Sequence, residues 1–294
     1  MRFIHCFDLE TSLKQLLGDL QFCPSFLKSS ASEKYKLTTM NYFDLKSVAE
    51  RYSNGRPYFH SNTIAHIQKY LNLDNKLHKA LDIACGTGMS TNALLEIADN
   101  VFGSDTSEEM LKWALSQDKI NYSIAQAENQ PYSNSEFNLI TVCSGVHWFN
   151  IDKFLVEANR LLTASGWLIL YDNFFISEMH DVEDFSQWYP EVYLKKFPAP
   201  KRNNGYDWSS DNLASKNFIL TNEEEFKNSI TFTKNELILY FTTQSNITAI
   251  TDSGEMTYSE IEEWLNNQLT PFYSIVDIRT IDFGNWIKYL HRTI

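Results

Sequence analysis

Between Leu81 and Thr91 the chain reads LDIACGTGMST, a run that ends a strand, turns on glycine and opens a helix. Gly86 and Gly88, with Thr87 between them, leave the main chain bare, so a ligand can approach it closely. Such a turn serves any nucleotide-like ligand. A dinucleotide turn wants a third glycine at position 91 and a pyrophosphate on the helix N-terminus. Thr91 stands there instead, and the acidic Asp82 sits where it would repel phosphate. The pattern fits a ligand that lacks phosphate and carries positive charge. Asp105 follows 23 residues after Asp82, at the tip of the next strand-like run, where a carboxylate can accept both hydroxyls of a ribose. Two more segments fall at strand ends: Ala127-Glu128, running into Gln130-Pro131-Tyr132, and CSGVHWFN over residues 143–150. In open parallel sheets ligands lie outside these ends. His147 is the residue there that could accept a proton from a reacting group, and Trp148 reads as pocket wall. His60 and His66 lie on a helix without a third ligand, and the four cysteines show no CxxC pair, so no metal site is expected.

These residues need a frame. Short buried strands at Ala80–Ala84, Val101–Ser104, Tyr122–Ala125, Phe137–Cys143 and Trp167–Tyr171 alternate with helical patterns, the mark of βαβ units and a parallel sheet. The expected fold is α/β, Rossmann-like and doubly wound. Its seven-stranded sheet is mostly parallel, with a C-terminal antiparallel hairpin and a helical cap insertion. Residues 40–173 form the ligand-binding core and 174–270 the cap that selects the second reactant. Residues 271–294 close the sheet, with strand-like runs at Ile275–Phe283 and Asn285–Leu290 joined at Gly284. Residues 1–39 read as an extension preceding a second start at Met40. The acidic run Glu223-Glu224-Glu225 reads as a solvated loop or helix start.

Composition narrows the partners. The 294 residues carry a net charge of −12, which argues against nucleic acid and anionic membrane surfaces, since both need a basic face. Aromatic residues make up 14% of the chain, enough to build an apolar pocket. No run approaches the ~20 apolar residues of a membrane span. The N-terminus lacks a basic segment followed by an apolar one, so a cytoplasmic protein is expected.

Taken together, Asp82-x-Ala-x-Gly-x-Gly, the Asp105-x-Ser-x-x-Met-Leu run, the Ala127-Glu128-x-x-Pro loop and Val146-His147-Trp148-Phe149 resemble class I methyltransferases. Within that class they resemble the branch of type 11 methyltransferase domains and trans-aconitate methyltransferase-like proteins with an HWF motif. The resemblance implies S-adenosylmethionine as cofactor and methyl transfer to a small molecule, by O- or C-methylation, with a carboxylate among the acceptors. It implies that Gly86 and Gly88 make the close approach, that Asp82 sits by the methionyl ammonium and that Asp105 holds the ribose. Thr106 and Met110 would flank the adenine, Ala127 and Glu128 would lie at its edge, and Ser144 would line the methionyl end. Tyr52 and Arg56 match a segment that closes over the cofactor, with Arg56 on the methionyl carboxylate. Ala84 replaces the family's first glycine, a change that is tolerable if its φ stays negative. Arg202 and Tyr206 in the cap are candidate substrate contacts beside Trp148. Two rival functions remain open, an NAD-type oxidoreductase and a catalytically silent cofactor-binding partner protein.

Overall fold

The computed structural model describes residues 46–115, 117–200 and 205–293, all within one compact unit, Asn41–Ile294. The extension expected over residues 1–39, the start at Met40 and the candidate Arg202 lie outside the described residues. Helices α1 (Lys46–Gly55) and α2 (His60–Tyr70) precede β1 (Leu77–Ile83), α3 (Met89–Ala93), β2 (Ala98–Asp105), α4 (Glu108–Lys112), β3 (Ile120–Ile124) and β4 (Phe137–Cys143). Then come α5 (Ile151–Leu161), β5 (Leu162–Met179), α6 (Glu183–Trp188), α7 (Leu194–Lys196) and α8 (Ser210–Ala214). The chain closes with β6 (Phe218–Thr233), α9 (Lys234–Thr242), α10 (Ser245–Asp252), α11 (Tyr258–Leu269) and β7 (Ile278–Arg292).

The seven strands form one sheet in the order β3-β2-β1-β4-β5-β7-β6, the first five parallel and β7 antiparallel to both neighbours. Local sequence sets the element boundaries. Ser107 caps α4 by accepting the Met110 N–H, and Asn150 caps α5 by accepting that of Lys153. Thr233 with Glu236, and Thr257 with Glu260, form capping boxes that start α9 and α11. Strands buried on both faces carry apolar runs, as in LITV of β4, so the sheet separates two cores. On one side Phe154, Leu155, Ala158 and Leu161 of α5 pack onto Leu81, Ile140, Leu168 and Leu170. On the other, Ile64 and Ile67 of α2 with Ala93 of α3 pack onto Ala80, Val101, Leu139 and Ile169.

The antiparallel edge is present, but its two arms are not the ones read from the sequence. Residues 278–292 make one uninterrupted strand, and Gly284 is no turn. A Cβ there would stand 2.4 Å from the Phe174 ring, so the glycine makes room for an aromatic lying across from it. The partner arm is β6, inside the range expected to be a helical cap, and Glu223-Glu224-Glu225 is part of it. Burial along β6 alternates strictly, with Glu224 turned to the half-buried face where it meets His66 at 2.6 Å. The acidic triplet masks this period-2 pattern, because charge at an inward position reads as solvent exposure.

Strands β5, β6 and β7 run on past the end of β4. Cys143 pairs with Tyr171, the last match between β4 and β5, while β5 continues beside β7 to Met179. Helices α6, α9, α10 and α11 cover this extension around an aromatic core that includes Phe185, Trp188, Tyr193, Phe241 and Phe283. The cap is therefore half sheet and half helix. Trp188 and Tyr193 are core residues, 7% and 0% exposed.

Candidate active site

The glycine turn crosses from β1 to α3 with three residues in the left-handed region: Ala84 at φ 58°, Gly86 at 53° and Gly88 at 77°. The expectation for Ala84 is thereby corrected. Its φ is positive, a conformation that costs an L-residue about 1–2 kcal/mol. Space exists for its methyl because residue 145 is glycine; a Cβ there would come within 2.8 Å of that of Ala84. Gly88 is needed on steric grounds too, since a Cβ would meet the Tyr122 hydroxyl at 2.3 Å. Tyr122 in turn donates to the Leu115 carbonyl at 3.0 Å and lies over Gly103, so it buttresses the turn from β3. Sequence reading missed this role. Thr87 is buried, and its hydroxyl oxygen has no hydrogen-bond partner.

Asp82, expected beside the methionyl ammonium, is held by three hydroxyl groups. The side chain is fully buried, and its carboxylate accepts from Ser90 Oγ at 2.6 Å, Thr91 Oγ1 at 2.8 Å and Thr141 Oγ1 at 2.9 Å. It ties α3 and β4 to the end of β1 and so holds the turn from beneath. Burial pushes its carboxyl up to about 6, against the pull of the three hydroxyls and with help from the nearby charge of Asp105.

Asp105 closes β2 at the mouth of the turn. One carboxylate oxygen accepts the Gly86 N–H at 2.9 Å and the other the Ser107 N–H at 2.9 Å, which fixes its plane beside bare backbone. Met110 lies alongside, its Cε 3.2 Å from where a Cβ of Gly86 would stand. An open pocket of about 470 Å³ adjoins, lined by Thr106, Ile124, Ala125, Gln126, Asn129, Gln130 and Pro131. Thr106, expected to flank the adenine, is part of this lining. Ala127 and Glu128 are not in the lining: Ala127 is core, and Glu128 accepts the Asn150 N–H at 2.6 Å, joining the loop to α5. Gln126 and Asn129 make the wall in their stead. The loop is clamped by Glu157, which accepts the Gln130 N–H, and Arg160, which donates to the carbonyls of Gln130 and Tyr132.

Helix α1 lies against both α4 and α9. Its Tyr52 ring comes within 4.0 Å of the Cβ position of Gly86. The Arg56 guanidinium stands 4.8 Å from the Tyr52 ring and 5.5 Å from that of Tyr240 on α9, and donates to the Thr243 carbonyl at 3.3 Å. Its Nε–H is buried without a hydrogen-bond partner. Burial raises the Tyr52 hydroxyl, and the Arg56 charge opposes that rise.

At the end of β4, Ser144 takes φ 54° and its hydroxyl donates to Asp172, which also accepts the Asn173 N–H. Asp172 was not singled out from sequence, although it ends the parallel-paired part of β5 as Asp105 ends β2. His147 and Trp148 sit on the short helical turn Val146–Trp148, rings 4.9 Å apart, with Trp148 42% exposed. Tyr206 is placed elsewhere, packed on Trp208 and donating to Asp152 of α5 at 3.0 Å. Burial pushes the Cys85 and Cys143 thiols up, so both stay protonated and act as small apolar groups. Among the described residues no cluster could hold a metal ion, and no helix is long and apolar enough to cross a membrane.

Residues 81–170 match the family profile described as a methyltransferase domain. That stretch runs from the glycine turn to the end of β5's parallel-paired half. This part of the chain is similar to methyltransferase domains. The chain is 28% identical over 235 residues to a provisionally named methyltransferase of Dictyostelium discoideum, covering 78% of this chain and 88% of that protein. Among solved structures, a provisionally named type II methyltransferase from Anaeromyxobacter dehalogenans superposes with a TM-score of 0.63 at 16% identity, over 81% of this chain and 97% of that one. A second, from Bacillus halodurans, gives 0.50 at 20% identity, over 79% and 100%. These two share the fold.

Proposed function

We propose that the chain transfers a methyl group from S-adenosylmethionine to a small-molecule acceptor. One observation carries the reading: along the C-terminal edge of the sheet, groups suited to each part of that cofactor stand in the order its structure requires. The open pocket beside Thr106 would take the adenine. Asp105, fixed by two backbone donors, would accept the ribose hydroxyls, and Gly86 would let the chain between ribose and sulfur pass close to the main chain. Arg56 would bind the methionyl carboxylate. Its buried, unpartnered Nε–H fits that role, because an orphaned guanidinium donor is costly until an anion satisfies it.

The bound cofactor supplies a methyl group on a cationic sulfur, which departs as a neutral thioether. The protein's part is alignment, and holding reactants in line can be worth roughly 7–11 kcal/mol. Tyr52 over the turn keeps water from the edge of the site and offers an aromatic face to positive charge, worth about 0.5–2 kcal/mol. Asp82, the first-turn hydroxyls of α3 and Tyr122 keep the turn rigid. His147, following β4, is the group placed to accept an acceptor proton, and Trp148 beside it forms an exposed apolar wall. Incubating the protein and S-adenosylmethionine with a metabolite panel, and measuring S-adenosylhomocysteine release, tests the reading. Release that requires an acceptor supports it, whereas a cofactor that is neither bound nor consumed contradicts it.

A further inference from the structure

The end of β4 leaves a notch in the sheet. β4 pairs with β5 as far as Cys143–Tyr171, and from the next residue β5 keeps only its pairing with β7 on the opposite side. Asp172 stands at this step, next to the strand end that carries Ser144. Two observations show that its carboxylate is held in place. Ser144 adopts a left-handed φ of 54°, rare for a residue with a Cβ, and in that conformation its hydroxyl donates to Asp172. The Asn173 N–H donates to the same oxygen at 2.8 Å. Backbone strain kept for the sake of one side-chain contact is a feature of sites where position matters.

Resting on the cofactor reading above, we propose that Asp172 faces the methyl-transfer position and that the acceptor nucleophile is an amine nitrogen. If the adenine lies by Thr106 and the ribose by Asp105, the methionyl end reaches Ser144, and the next group along the edge is Asp172. A fixed carboxylate there repels a carboxylate acceptor and accepts a hydrogen bond from N–H. Tyr52, whose hydroxyl feels the Asp172 charge, adds an aromatic face that favours a cationic product. Arg56, which packs on the Tyr52 ring, would be spent on the methionyl carboxylate. In the reaction the lone pair of a neutral amine forms the new N–C bond while the C–S bond breaks and its electron pair stays on sulfur. The ammonium product then passes its extra proton to Asp172 and on to solvent. This acceptor class differs from the oxygen and carbon nucleophiles expected from sequence, because Asp172 was not part of that expectation.

The test uses two probes matched in size and opposite in charge, phenethylamine and 3-phenylpropionate, titrated by NMR into the protein saturated with S-adenosylhomocysteine. The expected result is at least tenfold tighter binding of the amine, a preference lost in Asp172→Asn and weakened in Ser144→Ala. The second variant keeps the carboxylate but frees it, so it remains informative if the first does not fold. Equal binding, or tighter binding of the carboxylate on Arg56, overturns the proposal while leaving the cofactor reading intact. Failure of S-adenosylhomocysteine to bind overturns the cofactor reading, and the acceptor proposal with it.

Discussion

Ala84 stands where the methyltransferases that the turn resembles carry glycine, and the physical consequence is plain. It holds a left-handed φ of 58° that glycine would adopt without strain. Ala84→Gly should therefore stabilise the protein by about 1 kcal/mol, the relieved strain less the entropy that glycine adds to the unfolded chain. Thermal unfolding checks this, and an unchanged or lower Tm would show that neighbouring contacts have absorbed the strain. His147 permits a sharper test. If it accepts the acceptor's proton, His147→Ala should lower kcat by roughly 10²–10⁴ with cofactor affinity retained. A near-normal kcat would make it pocket wall, alongside Trp148. At this scale the sequence was readable where a residue type marks a backbone shape, as with the positive φ of Gly86 and Gly88. The hydroxyl partners of Asp82 were not legible, because spacing locates a carboxylate on the chain and cannot say which way it points. Its three hydroxyl partners come from α3 and β4.

Among elements, the five parallel strands and the helices between them were legible, since strands buried on both faces announce themselves as apolar runs of fixed length. The antiparallel edge was expected too, but not the strands that form its arms. β6 carries polar residues at inward positions, and its partner β7 contains a glycine that resembles a turn. Gly284 serves the Phe174 ring instead, and this can be measured. Gly284→Ala should push that half-exposed ring aside and cost about 1–2 kcal/mol, the usual scale for overpacking. In a Phe174→Ala background the same change should cost much less. Additive effects across the double-mutant cycle would mean that the glycine answers to something other than Phe174. Tyr240 of α9, which stands 5.5 Å from Arg56, carried no sequence signal, because only the folding of a distant segment brings it there.

For the whole molecule, two buried titrating groups on the same face of the sheet bind protons in opposite ways. Burial lowers His60 to about 3, and its Nδ1 lies 3.2 Å from the Tyr171 hydroxyl. Between about pH 3 and 6.5 the unfolded chain binds a proton at His60 that the folded chain does not, so this residue makes stability rise with pH. Asp82, raised to about 6, holds a proton in the folded state that the unfolded chain has lost above about pH 4. Between pH 4 and 6 it makes stability fall with pH. Each slope approaches about 1.4 kcal/mol per pH unit, and the two oppose one another. Asp82→Asn should therefore steepen the rise of stability between pH 4 and 6, and His60→Gln should flatten or reverse it. Denaturant unfolding across that range would show both, and slopes unchanged in the two variants would refute the pairing.

The cofactor assignment spans every scale, from one carboxylate to the strand order that places it, and calorimetry addresses it directly. S-adenosylhomocysteine titrated into the wild-type protein should bind at one site. Asp105→Ala, which removes the acceptor of both ribose hydroxyls, should weaken that binding at least tenfold, about 1.4 kcal/mol or more, with the fold intact. Binding equally tight in the folded variant, or no binding to the wild type, would contradict the account.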